Sequence, residues 1–183
     1  MIKLILFDLD GVLIDAKKIH YVALNEALGD EYAIDEKEHL SIYDGLKTTQ
    51  KLEILTKRKG LPVERHTEIS DRKQEITRRL LSQLEAIEEI GELFEELEER
   101  GYKIGVCSNS IRRSVLTSLS KTKLIQHCSV ILSNEDVKNS KPHPEMYWKA
   151  MSIMGVLPEE TMIVEDSPPG LLAAQRSRAN YIR

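Results

Sequence analysis

Three acids, Asp8, Asp10 and Asp15, stand directly behind a short apolar run in the opening stretch MIKLILFDLDGVLID. Carboxylates this close repel one another and lose hydration, so they need a counter-charge or a chemical task. Two other apolar runs end in the same manner. KIGVC (103–107) is followed by Ser108 and Asn109, and TMIVE (161–165) brings Glu165 and Asp166. In open α/β sheets, ligands sit beyond the carboxyl ends of the strands. If these runs are neighbouring parallel strands, Asp8, Asp10, Ser108, Asn109, Glu165 and Asp166 meet at one edge. An oxygen-rich set of this kind suits a hard cation, most simply Mg²⁺.

The elements that must position these residues are legible in the apolar pattern. Residues 3–9, 103–107, 129–133 and 161–165 read as buried strands, and the tail NYIR begins a fifth. Helical patterns lie between them. Over 88–100, Ile90, Leu93, Phe94 and Leu97 share one face with glutamates opposite, and Gly101 is placed to cap that helix. Pro144 stands at the expected first position of a helix over 144–154. Ser167 is the expected N-cap of the helix opened by Ser167-Pro168-Pro169. Strands alternating with helices argue for an α/β fold with a doubly wound parallel sheet covered on both faces. Residues 16–86 break the alternation. They read as helices over 16–28, 35–42, 47–59 and 64–84, a helical insertion after the first strand and a candidate cap domain. The hydrophilic stretch 64–79 reads as a solvated helix of mixed charge.

Bulk properties narrow the function. With 183 residues, 41% hydrophobic and 31% charged, the chain suits a soluble globular protein with a sizeable core. A net charge of -4 gives no push toward nucleic acid or an anionic membrane. Aromatic residues are 5%, too few for base-stacking platforms. No apolar stretch approaches the length of a spanning helix or a secretion signal. Two cysteines, Cys107 and Cys128, without a CxxC pair fit a reducing cytoplasm. We therefore expect a cytoplasmic protein, a monomer or weak dimer, with a small-molecule partner and neither nucleic acid nor membrane.

FDLDGVLID (7–15), VCSNS (106–110), Lys141 within SKPHPE (140–145) and VEDSPPG (164–170) occur in that order. Together they resemble the four motifs of the haloacid dehalogenase superfamily of phosphatases and phosphomutases, over nearly the whole chain. The VEDSxxG form and the SKPHPE loop are most similar to the subgroup containing β-phosphoglucomutase and phosphoglycolate phosphatase. The resemblance implies a Rossmann-like core over 1–15 and 87–183, a helical cap over 16–86, and a Mg²⁺-dependent phosphatase acting on a small phosphorylated metabolite, with a sugar phosphate as the first guess. It also implies about 30 further residues after the fourth motif's helix, enough for a strand and a helix, whereas this chain ends at Arg183.

The same resemblance distributes roles. A phosphate monoester is dianionic, so a metal and a fixed ammonium must neutralise it before an anion can attack. Asp8 would attack phosphorus and form an aspartyl-phosphate. Asp10 would protonate the leaving oxygen and later take a proton from water, which calls for a pKa raised by its anionic neighbours. The metal would lie among Asp8, the Asp10 backbone carbonyl, Asp166 and, directly or through water, Glu165. Ser108 and Asn109 would bind the phosphoryl oxygens. Lys141 would bridge Asp8 and the phosphate. One alternative is a phosphomutase using the same Asp8, disfavoured because Thr48 stands where an arginine would hold a second phosphate, although Lys47 or Lys51 could substitute for it. The other is a non-catalytic metabolite-binding member of the fold.

Several residues have plainer readings. Asp15 reads as a helix cap rather than a substrate contact. His20 reads as a partly buried helix histidine in preference to a residue of the active-site mouth. Lys47 and Thr48 stand equally between a helix start and a substrate contact. CSNSIRRS (107–114) fits the C-x5-R-[ST] pattern of cysteine phosphatases, but it lacks the glycines that curl backbone amides around phosphate. Cys107 therefore reads as a buried strand residue.

Overall fold

A computed structural model describes residues 1–183. Its strands are β1 (Leu4–Phe7), β2 (Lys103–Cys107), β3 (Cys128–Leu132), β4 (Thr161–Val164) and β5 (Asn180–Ile182). All pair in parallel, in the order β3-β2-β1-β4-β5. Parallel neighbours need crossovers long enough for a helix. Thus α6 (Arg112–Lys121) joins β2 to β3, α7 (Glu145–Met154) joins β3 to β4, and α8 (Pro168–Ser177) joins β4 to β5, while α5 (Glu88–Glu99) leads into β2. The winding direction reverses between β1 and β4, which opens a crevice at the carboxyl ends of those two strands.

Both faces of β1 are covered, which is why it is an unbroken apolar run. Leu4 and Leu6 pack with Met146, Tyr147 and Ala150 of α7 and Ala173 and Ala174 of α8. Ile5 and Phe7 face the other way, toward Phe94 of α5 and Val115 and Leu119 of α6. The Phe7 and Phe94 ring centroids are 5.0 Å apart.

The expected caps hold at two places and fail at a third. Ser167 Oγ accepts the Gly170 N–H at 3.2 Å and caps α8. Gly101, at φ 83°, ends α5 as its N–H and that of Tyr102 reach back to Glu98 and Leu97. Asp15 caps nothing: α1 (Lys17–Leu28) starts after Ala16, with no side-chain cap. The turn through Gly11 explains it, because the Leu13 and Ile14 N–H groups bond back to the Leu9 carbonyl and leave Asp15 exposed.

Between β1 and β2 the chain is helical and contains no strand. After α1 come a single turn, α2 (Glu36–Glu38), a π-turn over His39–Tyr43, then α3 (Thr48–Lys59) and α4 (His66–Leu81). This insertion has its own apolar cluster, which includes Leu24, Leu28, Tyr43, Leu52, Leu55, Ile69 and Ile76. The expectation of a solvated helix over 64–79 is corrected. Ile69, Lys73, Ile76, Thr77 and Leu81 form a buried stripe at i, i+4, i+7, i+8 and i+12. No helix is long and apolar enough to cross a membrane.

His39 is 1% exposed, and neither ring nitrogen has a partner. Burial, then the charges of Lys51, His20 and Lys73, push its pKa down to about 4. The unfolded chain therefore takes up this proton at a higher pH than the folded one. Stability falls as pH drops from the ordinary histidine range toward 4, and the contribution is constant above that window. Urea denaturation at stepped pH should show this slope in the wild type and a shallower one in His39→Phe.

Candidate active site

The carboxyl ends of β1, β2 and β4 converge on one cavity of about 190 Å³. Its walls include Asp8, Asp10, Asn109 and Lys141 from the sheet side, and His20, Lys47, Thr48, Lys51 and Lys73 from the insertion. Leu46 and Ile111 are the hydrophobic residues among the 20 that line it, so it suits a polar ligand.

At its floor, Lys141 is 2% exposed and spends all three N–H bonds inside the protein. They go to Asp8 Oδ1 at 2.7 Å, Glu165 Oε1 at 2.6 Å and the Cys107 carbonyl at 2.8 Å. Burial works against its charge, but Asp8, Tyr147 and Glu165 outweigh that and hold its pKa well above the usual lysine range. Burial pushes Asp8 up, to about 8, against the pull of Lys141, with Glu165 and Asp10 adding to the rise. Lys141 occupies only Oδ1 of Asp8, so Oδ2 is left to face the cavity. Glu165 is tied on both sides: Tyr147 Oη also donates to Oε1, while the Ser167 N–H and Oγ donate to Oε2.

Asp8, Glu165 and Asp166 each bring a carboxylate oxygen within 4.8 Å of the others. Asp166 Oδ1 is buried and has no partner, while Lys17 Nζ holds Oδ2 at 2.5 Å. Three carboxylates around one orphaned oxygen, with Lys141 already saturated, form a donor set that fits a hard divalent cation. The Asp10 side chain is not in that set. Its Oδ2 accepts from Ser110 Oγ at 2.7 Å and lies 3.2 Å from His20 Nε2.

The expected rise in the Asp10 pKa is therefore corrected. Burial raises it, but His20, the Ser110 hydroxyl and Lys73 together win and pull it down to about 2. Burial lowers the pKa of His20 itself, and His20 Nδ1 is buried without a partner. A neutral imidazole that donates from Nε2 to an ionised Asp10 satisfies both observations.

Ser108 and Asn109 sit at the predicted strand end but are engaged there. Ser108 is 1% exposed, and its Oγ accepts the Ser110 N–H at 3.0 Å. Both amide protons of Asn109 go to backbone carbonyls, of Gly45 at 3.0 Å and Lys141 at 3.1 Å, so they are not available to a phosphoryl oxygen. Cys107 is fully buried, and burial pushes its thiol up to about 12, which removes the thiolate that a cysteine phosphatase needs.

The sequence reading gave the insertion too small a part and missed Lys17 and Lys73. His20, there favoured as an ordinary helix residue, touches Asp10. Lys17 reaches Asp166, with Asp44 3.5 Å from the same ammonium. Lys51 and Lys73 open into the cavity. A signal for the last two was present, because each lies on its helix's apolar stripe: Lys51 beside Leu52 and Leu55, Lys73 between Ile69 and Ile76.

A family model described as haloacid dehalogenase-like hydrolase matches residues 5–183. The pyrophosphatase PpaX of Bacillus mycoides is 28% identical over 186 aligned residues, which cover 96% of this chain and 80% of the relative. Among solved structures, β-phosphoglucomutase from Clostridium difficile superposes with a TM-score of 0.87 at 23% identity, covering 99% of this chain and 83% of that one. CbbY from Rhodobacter sphaeroides, in complex with xylulose-(1,5)bisphosphate, does so with a TM-score of 0.88 at 24% identity, covering 99% and 85%. These two likenesses are of fold.

Lys141→Met leaves Asp8 and Glu165 buried without their shared cation. It should cost about 3–5 kcal/mol in urea denaturation with chelator present. Mg²⁺ at a hundredfold excess over its Kd should stabilise the wild type by about 2.7 kcal/mol, and Asp166→Asn should lose most of that gain.

Proposed function

Because the chain belongs to the haloacid dehalogenase-like hydrolase family, we propose that it is a Mg²⁺-dependent phosphatase that hydrolyses a small phosphorylated metabolite through an aspartyl-phosphate on Asp8. One observation carries this reading. Asp8 lines the cavity with one oxygen held by a saturated buried ammonium, and it brings a carboxylate oxygen within 4.8 Å of one from Asp166, whose Oδ1 is buried without a partner. Mg²⁺ held by Asp8, Asp166, the Asp10 backbone carbonyl and Glu165, directly or through water, would supply the charge that lets two anions approach.

The chain's own residues account for the remaining steps. Asp8 Oδ2 attacks phosphorus, the ester P–O bond breaks, and the leaving oxygen takes a proton from Asp10. Water then attacks the same phosphorus, Asp10 takes its proton, and Asp8 is released with inorganic phosphate. Asp10 is ionised before substrate arrives, so its proton affinity must rise on binding. A phosphate dianion packed against it and the loss of solvent both act in that direction. His20 keeps the carboxylate aimed through Nε2. Lys141 restrains Asp8 and Glu165 throughout.

We read residues 16–86 as a cap that closes over the core formed by 1–15 and 87–183, excluding bulk water during the first step. The polar lining and small volume favour a compact metabolite such as a sugar phosphate. Both cysteines are free, which suits a cytoplasmic enzyme.

A panel of phosphate esters assayed for phosphate release with and without Mg²⁺ tests the reading. Asp8→Asn should lower kcat by about 10⁴-fold or more, in line with removal of other catalytic nucleophiles, while Cys107→Ser stays active. Activity that survives in Asp8→Asn and disappears in Cys107→Ser overturns it.

A further inference from the structure

Lys17 has no part in the chemistry at Asp8, yet it sits on a candidate metal ligand. Its Nζ lies 2.5 Å from Asp166 Oδ2 and 3.5 Å from Asp44 Oδ2. Asp166 follows β4, whereas Lys17 and Asp44 both belong to the insertion, Lys17 as the first residue of α1 and Asp44 just after the π-turn. On local grounds a lysine is out of place there. The N-terminal end of a helix disfavours cations, and the first turn of α1 holds no acid to offset one. The side chain is 30% exposed and could turn its charge to bulk water, but it is drawn inward onto Asp166. Asp44 lines the cavity. Gly45 beside it gives its carbonyl to Asn109 and packs so closely on Ser167 that a Cβ would come within 3.1 Å of the serine Cβ.

A divalent cation and the Lys17 ammonium compete for Asp166. The buried Oδ1 has no partner and can serve a metal, but an ammonium on Oδ2 of the same carboxylate repels that metal at short range. Asp44 is a second carboxylate already within reach of the ammonium. We propose that Lys17 is an internal counter-ion of Asp166 that the metal must displace, and that Asp44 takes up the displaced ammonium. The inference rests on the metal site of the phosphatase reading and not on turnover. Lys17 thereby weakens metal binding and keeps Asp166 compensated until the metal arrives. The move exchanges a tie between insertion and sheet for one inside the insertion. Metal loading therefore releases one of the contacts that hold the Asp44-Gly45 loop against the carboxyl ends of the strands.

The test titrates Mg²⁺ calorimetrically, without substrate, into chelator-treated protein. Lys17→Met should bind Mg²⁺ about tenfold or more tighter than the wild type, as expected for removal of one partly screened like charge. Lys17→Arg keeps the charge and should stay near the wild type. A lysine of purely structural use would give the opposite sign, weaker binding after truncation. Asp44→Asn should weaken binding by about threefold or more in the wild type and have little effect in Lys17→Met, where no ammonium needs a second carboxylate. Hydrogen exchange over 43–48 should quicken with Mg²⁺ in the wild type and not in Lys17→Met. Lys17→Gln repeats the series should the methionine variant misfold. Equal or weaker Mg²⁺ binding by Lys17→Met overturns the proposal. So does an Asp44→Asn effect of the same size in both backgrounds, or a loop whose exchange ignores Mg²⁺. Mg²⁺-dependent ester turnover alongside any of those results leaves the phosphatase reading standing. Tighter binding by Lys17→Met with no turnover of any ester keeps the role of Lys17 and removes that reading. Mg²⁺ binding that Asp166→Asn does not weaken removes the metal site and the role of Lys17 with it.

Discussion

One buried ammonium holds the floor of the site together. Lys141 Nζ ties the end of β1, through Asp8, to the end of β4, through Glu165, and to the last carbonyl of β2. Desolvating such a cluster costs several kcal/mol per ion, so it is not retained for stability alone. Its effect is geometric, since three strands cannot drift apart at their carboxyl ends without leaving a carboxylate unpaired. The surroundings are shaped to keep it. A Cβ on Gly170 would overlap the Glu165 carboxylate, so the glycine of VEDSPPG is a packing requirement. A Cβ on Gly11 would meet both Asp166 and Lys17, and that glycine also turns the chain at φ 100°.

The insertion joins this floor through polar ties. Lys17 lies between Asp166 of the sheet and Asp44 of the insertion, Asn109 donates to the Gly45 carbonyl, and His20 reaches Asp10. The two points where the chain leaves and re-enters the core are packed differently. Ile14, Ala16 and Leu81 belong to the same apolar cluster as Phe7 and Phe94. The crossings are thus anchored by apolar burial, while the contacts around the cavity are hydrogen bonds and ion pairs that water can replace. Contacts of that kind belong to the low-stability end of a structure, where openings are cheap.

The sheet was legible because burial on both faces leaves a simple signature: short apolar runs at 3–9, 103–107, 129–133 and 161–165, each ended by polar residues. Since the strands are parallel, their ends could be gathered into one site before any contact was known. Side-chain aim was not legible. Asp8 and Asp10 are two residues apart and look equivalent in sequence, yet one faces Lys141 and the other faces His20 and Ser110. The expected rise in the Asp10 pKa failed because it counted neighbours along the chain and not across the cavity. Lys73 was hidden by a different effect. Its stretch is so hydrophilic on average that the buried stripe Ile69-Lys73-Ile76 escaped notice, although its spacing is that of an ordinary apolar face. Asp15 has the residue type of a cap, but the Gly11 turn decides where α1 can begin.

The two aspartates are displaced in directions opposite to their proposed roles: Asp8, the nucleophile, toward about 8, and Asp10, the acid, toward about 2. Coulomb's law resolves the conflict. A unit charge about 4 Å away is worth about 4 kcal/mol at an effective dielectric constant near 20, or about three pK units. A divalent cation held by Asp8 and Asp166 would therefore be more than sufficient to ionise Asp8 at neutral pH. A phosphate dianion beside Asp10 acts with similar size and opposite sign, against His20 and Ser110. On the proposed mechanism, each charge that ligand binding brings would move one aspartate toward its role, so the nucleophile and the acid would be defined by occupancy of the cavity. The protein alone fixes only their positions.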